Sequence, residues 1–262
     1  MAHALFVAGL TLLVIGAVLA VTAELRRLEP LARSGAGALA AAWALQLAGL
    51  ATVTVTDRTI PMRTGPEYLV VLGWFVLSLH LLLWFRSGIR ALALVLPPIA
   101  ALMVGAAHLI PTSGIQVGNG PDRGWFIFHT AVATAGMAAL AVAFAMSILF
   151  LVKERGLKGK RPLRVLDRLP ALETLDRIGF IALMWGFPLL TLGIVTGMVY
   201  NAELHDRIWT AGMKQTFPVL AWGVFAVLLW ARLSRGVRGR RSAFLSIAGF
   251  ALGLLTLLGM VR

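Results

Sequence analysis

The sequence contains no cysteine at any of its 262 positions. Disulfide bonds, thiol redox chemistry and thiolate ligation of a metal or haem are therefore excluded within this chain. If the protein takes part in thiol chemistry, a partner must supply the sulfur.

Charged residues are few, and most of them are basic. Charged residues make up 13% of the chain, with 24 Lys and Arg against 11 Asp and Glu. None of them lies deep inside an apolar stretch, which argues against the buried carboxylate relays of proton pumps and ion-coupled transporters. The polar sequence is also too short for a separate soluble domain. Residues 1–262 are therefore predicted to form a single transmembrane domain.

Long apolar stretches make up most of the sequence, which is 59% hydrophobic with a mean hydropathy of +0.87. Eight stretches each approach the ~20 residues that a helix needs to cross the hydrocarbon core. They cover residues 4–22, 36–56, 68–85, 91–110, 125–152, 178–200, 216–231 and 243–261. The predicted fold is an all-α polytopic integral membrane bundle of eight transmembrane helices.

Basic residues alternate from one connector to the next. The first, third, fifth and seventh connectors hold 18 of the 24 Lys and Arg residues. Because basic residues near helix ends resist translocation, these connectors are predicted in the cytoplasm and both termini outside. The net charge of +13 also suggests nucleic acid, but the basic residues lack interleaved aromatics. Topology and attraction to anionic lipid are the preferred interpretation.

Prolines and small residues interrupt two of the stretches. Pro97-Pro98 lies in the fourth and Pro188 in the sixth, where prolines kink helices and free carbonyls that neighbours can satisfy. Gly193 and Gly197 form a small-xxx-small pair that lets another helix approach closely. Helix packing is the preferred explanation of both features.

Histidines are the side chains best suited to hold a metal or haem, since the carboxylates lie in connectors or at helix ends. His108 falls near the outer end of the fourth stretch and His129 near the outer end of the fifth. Helices joined by a short loop run antiparallel, so the two imidazoles are expected to face one cavity, where they could hold haem iron. Hydrogen bonding of both to loop carbonyls or lipid headgroups is the alternative.

Four further side chains are candidates for a cofactor site. His80 lies inside the third stretch, where a functional role, an inner-side haem contact or a hydrogen bond across helices each fit. His205 lies on the outer side between acidic residues, which also fits a solvated loop histidine. Trp125 and Trp209 belong to the outer side, where indoles anchor helix ends or form a shelf for a planar macrocycle.

Four tracts of the sequence carry a family resemblance. They are GPEYLVVLGW from Gly65, GWFIFHTAVATAG around His129, ALETLDRIGFIALMWGFPLLTLGIVTG from Ala171, and GVRGRRSAFLSIAGF from Gly236. In this order they resemble the cytochrome c assembly family, which includes CcsA, CcmC and CcmF, and particularly its HemX- and YpjD-like branch. The resemblance implies that His129, preceded by Trp125, corresponds to an outer-face haem ligand.

One departure separates this chain from the haem-delivering members. Those members carry a tryptophan-rich tract close to WSWDPKETW in the sixth connector, which displays haem on the outer face. The corresponding residues here are WTAGMKQTF, Trp209 to Phe217, in which Ala211 and Gly212 replace a Trp and the Asp. Trp230 stands where CcsA has an intramembrane histidine. His129 alone survives among the haem ligands that the resemblance implies.

The resemblance therefore implies a non-enzymatic, haem-binding or haem-sensing accessory or regulator of haem biosynthesis or cytochrome c maturation. Haem b is the expected cofactor, a protein of either pathway the expected partner, and the bacterial cytoplasmic (inner) membrane the expected location. Two alternatives stay open. One is a haem exporter or cytochrome c synthase component, with His108 or His205 as the replacement ligand. The other is a cofactor-free scaffold for a partner protein.

Reporter fusions test the predicted topology. A periplasm-only reporter fused near Arg161 is expected to be inactive, because the connector from Lys153 to Arg177 holds eight basic residues. The same reporter fused to either terminus is expected to be active. Activity of the Arg161 fusion would overturn the predicted orientation.

Overall fold

A computed structural model of the chain describes residues 2–56, 61, 62, 64–110, 123–159, 169–205, 209 and 212–256. Over these residues the chain is almost entirely α-helical. The helices are α1 Ala2–Arg26, α2 Glu29–Thr56, α3 Gly65–Ser87, α4 Leu96–Leu109, α5 Arg123–Lys158, α6 Leu172–His205, α7 Met213–Arg235 and α8 Arg240–Leu255. A short 3-10 helix, Arg90–Leu94, precedes α4.

Seven helical segments of the described chain are long and apolar enough to cross a membrane, with the 3-10 helix and α4 counted as one. They match the first seven predicted stretches, so the all-helical, multi-span fold is confirmed. Helix α8 has 16 residues, and its predicted crossing extends into residues 257–261, which lie outside the described ranges. The count of eight crossings and the orientation of the termini stay predictions.

The chain divides into two compact units, Met1–Ser113 and Gly114–Arg262. The first unit contains α1 to α4 and the second contains α5 to α8. That residues 1–262 act as a single transmembrane domain stays a prediction.

Small residues let α1 and α2 approach closely in the first unit. A Cβ built on Gly16 would lie 2.9 Å from the Leu39 side chain, and one built on Gly35 would lie 3.0 Å from the backbone nitrogen of Ala20. Lipid tails are as apolar as leucine, so van der Waals contact of this kind is what holds membrane helices together.

Two tryptophans join α2 to α3. The indole rings of Trp43 and Trp74 stack with their centroids 5.4 Å apart. The Trp43 Nε1 donates to Ser78 Oγ at 2.7 Å, and the Trp74 Nε1 donates to the Trp43 carbonyl at 3.2 Å. Both indole N–H groups are therefore satisfied within the unit, as buried indoles require.

The double proline of the fourth stretch marks a helix start. Pro97 lies in the first turn of α4, directly after the 3-10 helix. A proline costs little at this position, because the first backbone N–H groups of a helix have no intrahelical partner. By contrast, Pro188 lies within the continuous helix α6.

Glycines bring α5 and α6 together in the second unit. A Cβ built on Gly136 of α5 would lie 2.8 Å from the backbone nitrogen of Leu190. One built on Gly193 of α6 would lie 2.8 Å from the Cβ of Ala133. The predicted packing role of the Gly193 and Gly197 pair is confirmed, and the neighbouring helix is α5.

Two glycines shape the turn between α7 and α8. Gly236 ends α7 with φ of 62°, and Gly239 begins α8 with φ of 72°. Residues with a Cβ adopt such positive φ angles only with backbone strain, so glycine suits both positions. The turn reverses the chain, so that α8 packs against α7. A Cβ built on Gly249 of α8 would lie 2.8 Å from the ring of Phe225 in α7.

Substitution of Gly193 tests the contact between α5 and α6. Alanine favours a helix over glycine by about 1 kcal/mol, but its methyl group would overlap Ala133. Overpacking costs about 1–3 kcal/mol, so Gly193→Ala is expected to lower the melting temperature of the purified protein. Gly223→Ala is the matched control, because no atom lies within 4 Å of a Cβ built there. Equal melting temperatures of the two variants would contradict the tight contact.

Candidate functional site

His129 lies in the second turn of α5 and faces Thr196 of α6. Its Nδ1 is 3.1 Å from Thr196 Oγ1. The Thr196 hydroxyl donates to the Leu192 carbonyl at 2.6 Å, so the tautomer that completes the contact is the one with a proton on Nδ1. In a neutral histidine this leaves Nε2 without a proton and able to bind a metal.

The backbone of α6 fits closely around this imidazole. A Cβ built on Gly197 would lie 2.6 Å from His129 Cε1, so a side chain at this position would displace the ring. Trp125, one turn earlier on α5, donates from Nε1 to the Thr196 carbonyl at 3.2 Å. Two side chains of α5 thus bind the same residue of α6, and together they fix the position of the imidazole.

Two aromatic side chains lie near His129 along α5, the half-buried Trp125 and the exposed Phe128. Their rings lie 5.9 Å apart between centroids, and Phe128 is 49% exposed. Trp125 and His129 share Thr196 as a partner, and their role in a haem site stays a prediction.

His108 lies one residue before the end of α4 and is exposed. Its Nδ1 lies 2.8 Å from the Val104 carbonyl of the same helix. A carbonyl oxygen only accepts, so Nδ1 is the donor and Nε2 of the neutral ring is again without a proton. His108 belongs to the first unit and His129 to the second, and their pairing across one cavity stays a prediction.

The other predicted residues lie in α3, at the end of α6 and between α6 and α7. His80 of α3 is 2% exposed, and its Nδ1 has no hydrogen-bond partner among the described residues. His205 ends α6, but its side chain lies outside the described residues. Trp209 is 41% exposed. Their roles as haem contacts stay predictions.

Clustered metal ligands are absent from the part of the chain that the structure describes. No three His, Asp or Glu side chains come together there in a way that could hold a metal ion.

A buried ion pair at the start of α6 escaped the sequence analysis. The Asp176 carboxylate takes two hydrogen bonds from Arg232 of α7, at 2.6 Å and 3.1 Å. The two side chains are 15% and 8% exposed. The sequence analysis placed both residues in connectors, because α6 and α7 extend beyond the apolar stretches that marked them.

Further contacts join this ion pair to the turn before α8. The backbone N–H of Gly239 donates to Asp176 Oδ1 at 3.2 Å, and Arg232 Nη1 donates to Ser242 Oγ at 2.5 Å. The guanidinium also lies 4.6 Å from the centre of the Phe180 ring, within range of a cation–π contact. Two of the tracts quoted above, ALETLDRIGF and GVRGRRSAF, therefore meet at Asp176.

Known proteins are similar to this chain over most of its length. A family described as Cytochrome C assembly protein matches residues 62–261. The Cytochrome c biogenesis protein CcsA of Microcystis aeruginosa is 29% identical over 249 residues, covering 76% of this chain and 76% of the relative. The protein of the same name from Gloeobacter violaceus is 28% identical, covering 91% and 86%. That from Guillardia theta is 25% identical, covering 80% and 76%.

Removal of Asp176 tests the ion pair. In Asp176→Ala the buried guanidinium of Arg232 loses its counter-charge, and breaking a buried pair in this way costs about 3–5 kcal/mol. The melting temperature of the purified variant is expected to fall sharply. Glu173→Ala, an exposed acidic position one turn earlier on α6, is the control and is expected to melt like the parent. A parent-like melting temperature for Asp176→Ala would show that the pair contributes little.

Proposed function

The chain belongs to the cytochrome c assembly protein family, and we propose that it is a non-enzymatic membrane protein that binds haem through His129. In this proposal the haem lies at the predicted outer end of α5. The protein acts as a HemX-like accessory or regulator in haem biosynthesis or cytochrome c maturation. It works with a protein partner in the cytoplasmic membrane of a bacterium.

The contact between His129 and Thr196 is the observation that carries the proposal. Thr196 is the acceptor for a proton on Nδ1, which leaves Nε2 as the nitrogen available to a metal. Histidines that bind metals almost always donate their other ring nitrogen in this way, because the contact fixes the tautomer and the ring orientation. Haem iron, already held by four porphyrin nitrogens, takes an axial imidazole as a further ligand.

The surroundings of His129 also suit a flat apolar group. Phe128 presents an exposed ring on α5, and Gly197 lets one edge of the imidazole pack directly against α6. Trp125 is held by its hydrogen bond to α6, so its indole has a fixed position one turn from the ligand. In this proposal the two aromatic rings contact and orient the macrocycle.

His108 is the proposed second axial ligand. Its Nδ1 is the donor in a hydrogen bond to its own helix, as the Nδ1 of His129 is to Thr196. Both side chains therefore have the same free nitrogen. His205 and His80 are the further candidates, the latter for an inner-side contact, and Trp209 is a candidate for stacking.

An accessory role is favoured over cytochrome c synthesis by the chain's own residues. The curated relatives are named Cytochrome c biogenesis proteins. In the tract from Trp209 to Phe217 this chain has Ala211 and Gly212 where the resemblance implies a Trp and an Asp. The chain also has no cysteine with which to manage the thiols of an apocytochrome.

Absorbance spectra of the purified protein test the proposal. The parent is expected to show a Soret band, and His129→Ala is expected to lose or shift it. Thr196→Val keeps the imidazole but removes its acceptor, and it is expected to bind haem roughly 10–100-fold more weakly. His3→Ala, at an exposed position near the N-terminus, is the matched control and should leave the spectrum unchanged.

The outcomes of this experiment are distinct. An unchanged spectrum in His129→Ala would remove the ligand assignment while leaving haem binding intact. A parent protein without a Soret band, purified from cells that make haem and also after addition of hemin, would favour the cofactor-free scaffold.

A further inference from the structure

A recess in the second unit lies where α6, α7 and α8 meet α5, at the end of the helices opposite to His129. It is lined by the Asp176 and Arg232 pair and by three serines, Ser147, Ser242 and Ser246. The recess is partly open to the surface and has a volume of about 20 Å³. Hydroxyl groups and charges are therefore concentrated near the start of α6 and the end of α7.

The hydroxyl of Ser246 has no partner among the described residues, although the side chain is only 4% exposed. Serines and threonines in membrane helices commonly donate to the carbonyl four residues earlier. Ser147 does so to Ala143 at 2.8 Å, and Ser234 does so to Trp230 at 2.6 Å. Ser246 makes no such bond and lines the recess.

Ser242 links this hydroxyl to the ion pair. Ser242 and Ser246 lie four residues apart on α8, so their side chains share one face of the helix. The Ser242 Oγ accepts from Arg232 at 2.5 Å. The unpaired hydroxyl therefore lies one helical turn from a charged, hydrogen-bonded network.

We propose that this recess is a hydrated site in which a water molecule binds the Ser246 hydroxyl and joins it to the Asp176 and Arg232 pair. A cavity holds a water when it has about 10–15 Å³ of water-sized space and several polar partners, and this recess meets both conditions. An anion is disfavoured, because the Asp176 carboxylate already neutralises the Arg232 charge and accepts two of its hydrogen bonds. An apolar ligand would leave the Ser246 hydroxyl unsatisfied.

Cysteine accessibility tests this site, and the chain contains no other cysteine. Membranes containing Ser246→Cys are transferred to deuterated water, and the rate at which the S–H infrared band is lost is measured. Because this exchange requires only water to enter the recess, Ser246→Cys is expected to exchange roughly tenfold or more faster than a buried control. That control is Ala145→Cys, which is 0% exposed in α5 and does not line the recess.

A second position protects the test against a misfolded variant. Ser147→Cys also lines the recess, from α5, and its S–H group is expected to exchange faster than that of Ala145→Cys as well. Each variant is first checked for a cooperative melting transition. If folded Ser246→Cys and Ser147→Cys both exchange no faster than Ala145→Cys, the recess is dry and the proposal is wrong.

Discussion

Glycine at the contact between α5 and α6 is the constraint on which the candidate site depends. Gly136, Gly193 and Gly197 let the two helices approach closely. A Cβ built at any of these three positions would lie 2.6–2.8 Å from the nearest atom of the neighbouring helix. At that separation a short threonine side chain reaches an imidazole on the neighbouring helix. Larger residues would separate the helices and leave His129 without the acceptor that sets its protonation. The chemistry of the nitrogen thus follows from the size of residues on another helix.

Polar contacts join the helices at both ends of the second unit, but the contacts differ in kind. At the His129 end, neutral hydrogen bonds hold two side chains of α5 against α6. At the other end, the charges of Asp176 and Arg232 join the start of α6 to the end of α7 and to the turn before α8. A buried pair of charges repays its desolvation only when its remaining hydrogen-bonding groups are satisfied. Ser242 and the Gly239 N–H provide part of this, and they lie at a turn that needs glycine for its backbone angles.

The sequence predicted the helices well because hydropathy reports directly on the length of apolar chain, and the structure places helices at each predicted stretch. It also indicated Trp125 and His129 through a family tract. It could not predict the role of Thr196, since nothing in the sequence says which residue of α6 lies opposite His129. Asp176 and Arg232 were missed for a related reason. They are 56 positions apart, and each looks like an ordinary charge at the edge of an apolar stretch until α6, α7 and the following turn are packed together.

The length of α5 has a mechanical consequence. Its 36 residues span about 54 Å at 1.5 Å per residue, whereas a bilayer with its headgroups is about 40–45 Å thick. The helix is therefore about 10 Å longer than that thickness, which is nearly two helical turns. Near the end of α5, Lys153 Nζ donates to the carbonyls of Leu169 and Pro170. These contacts fasten the extra length of α5 to the chain just before α6.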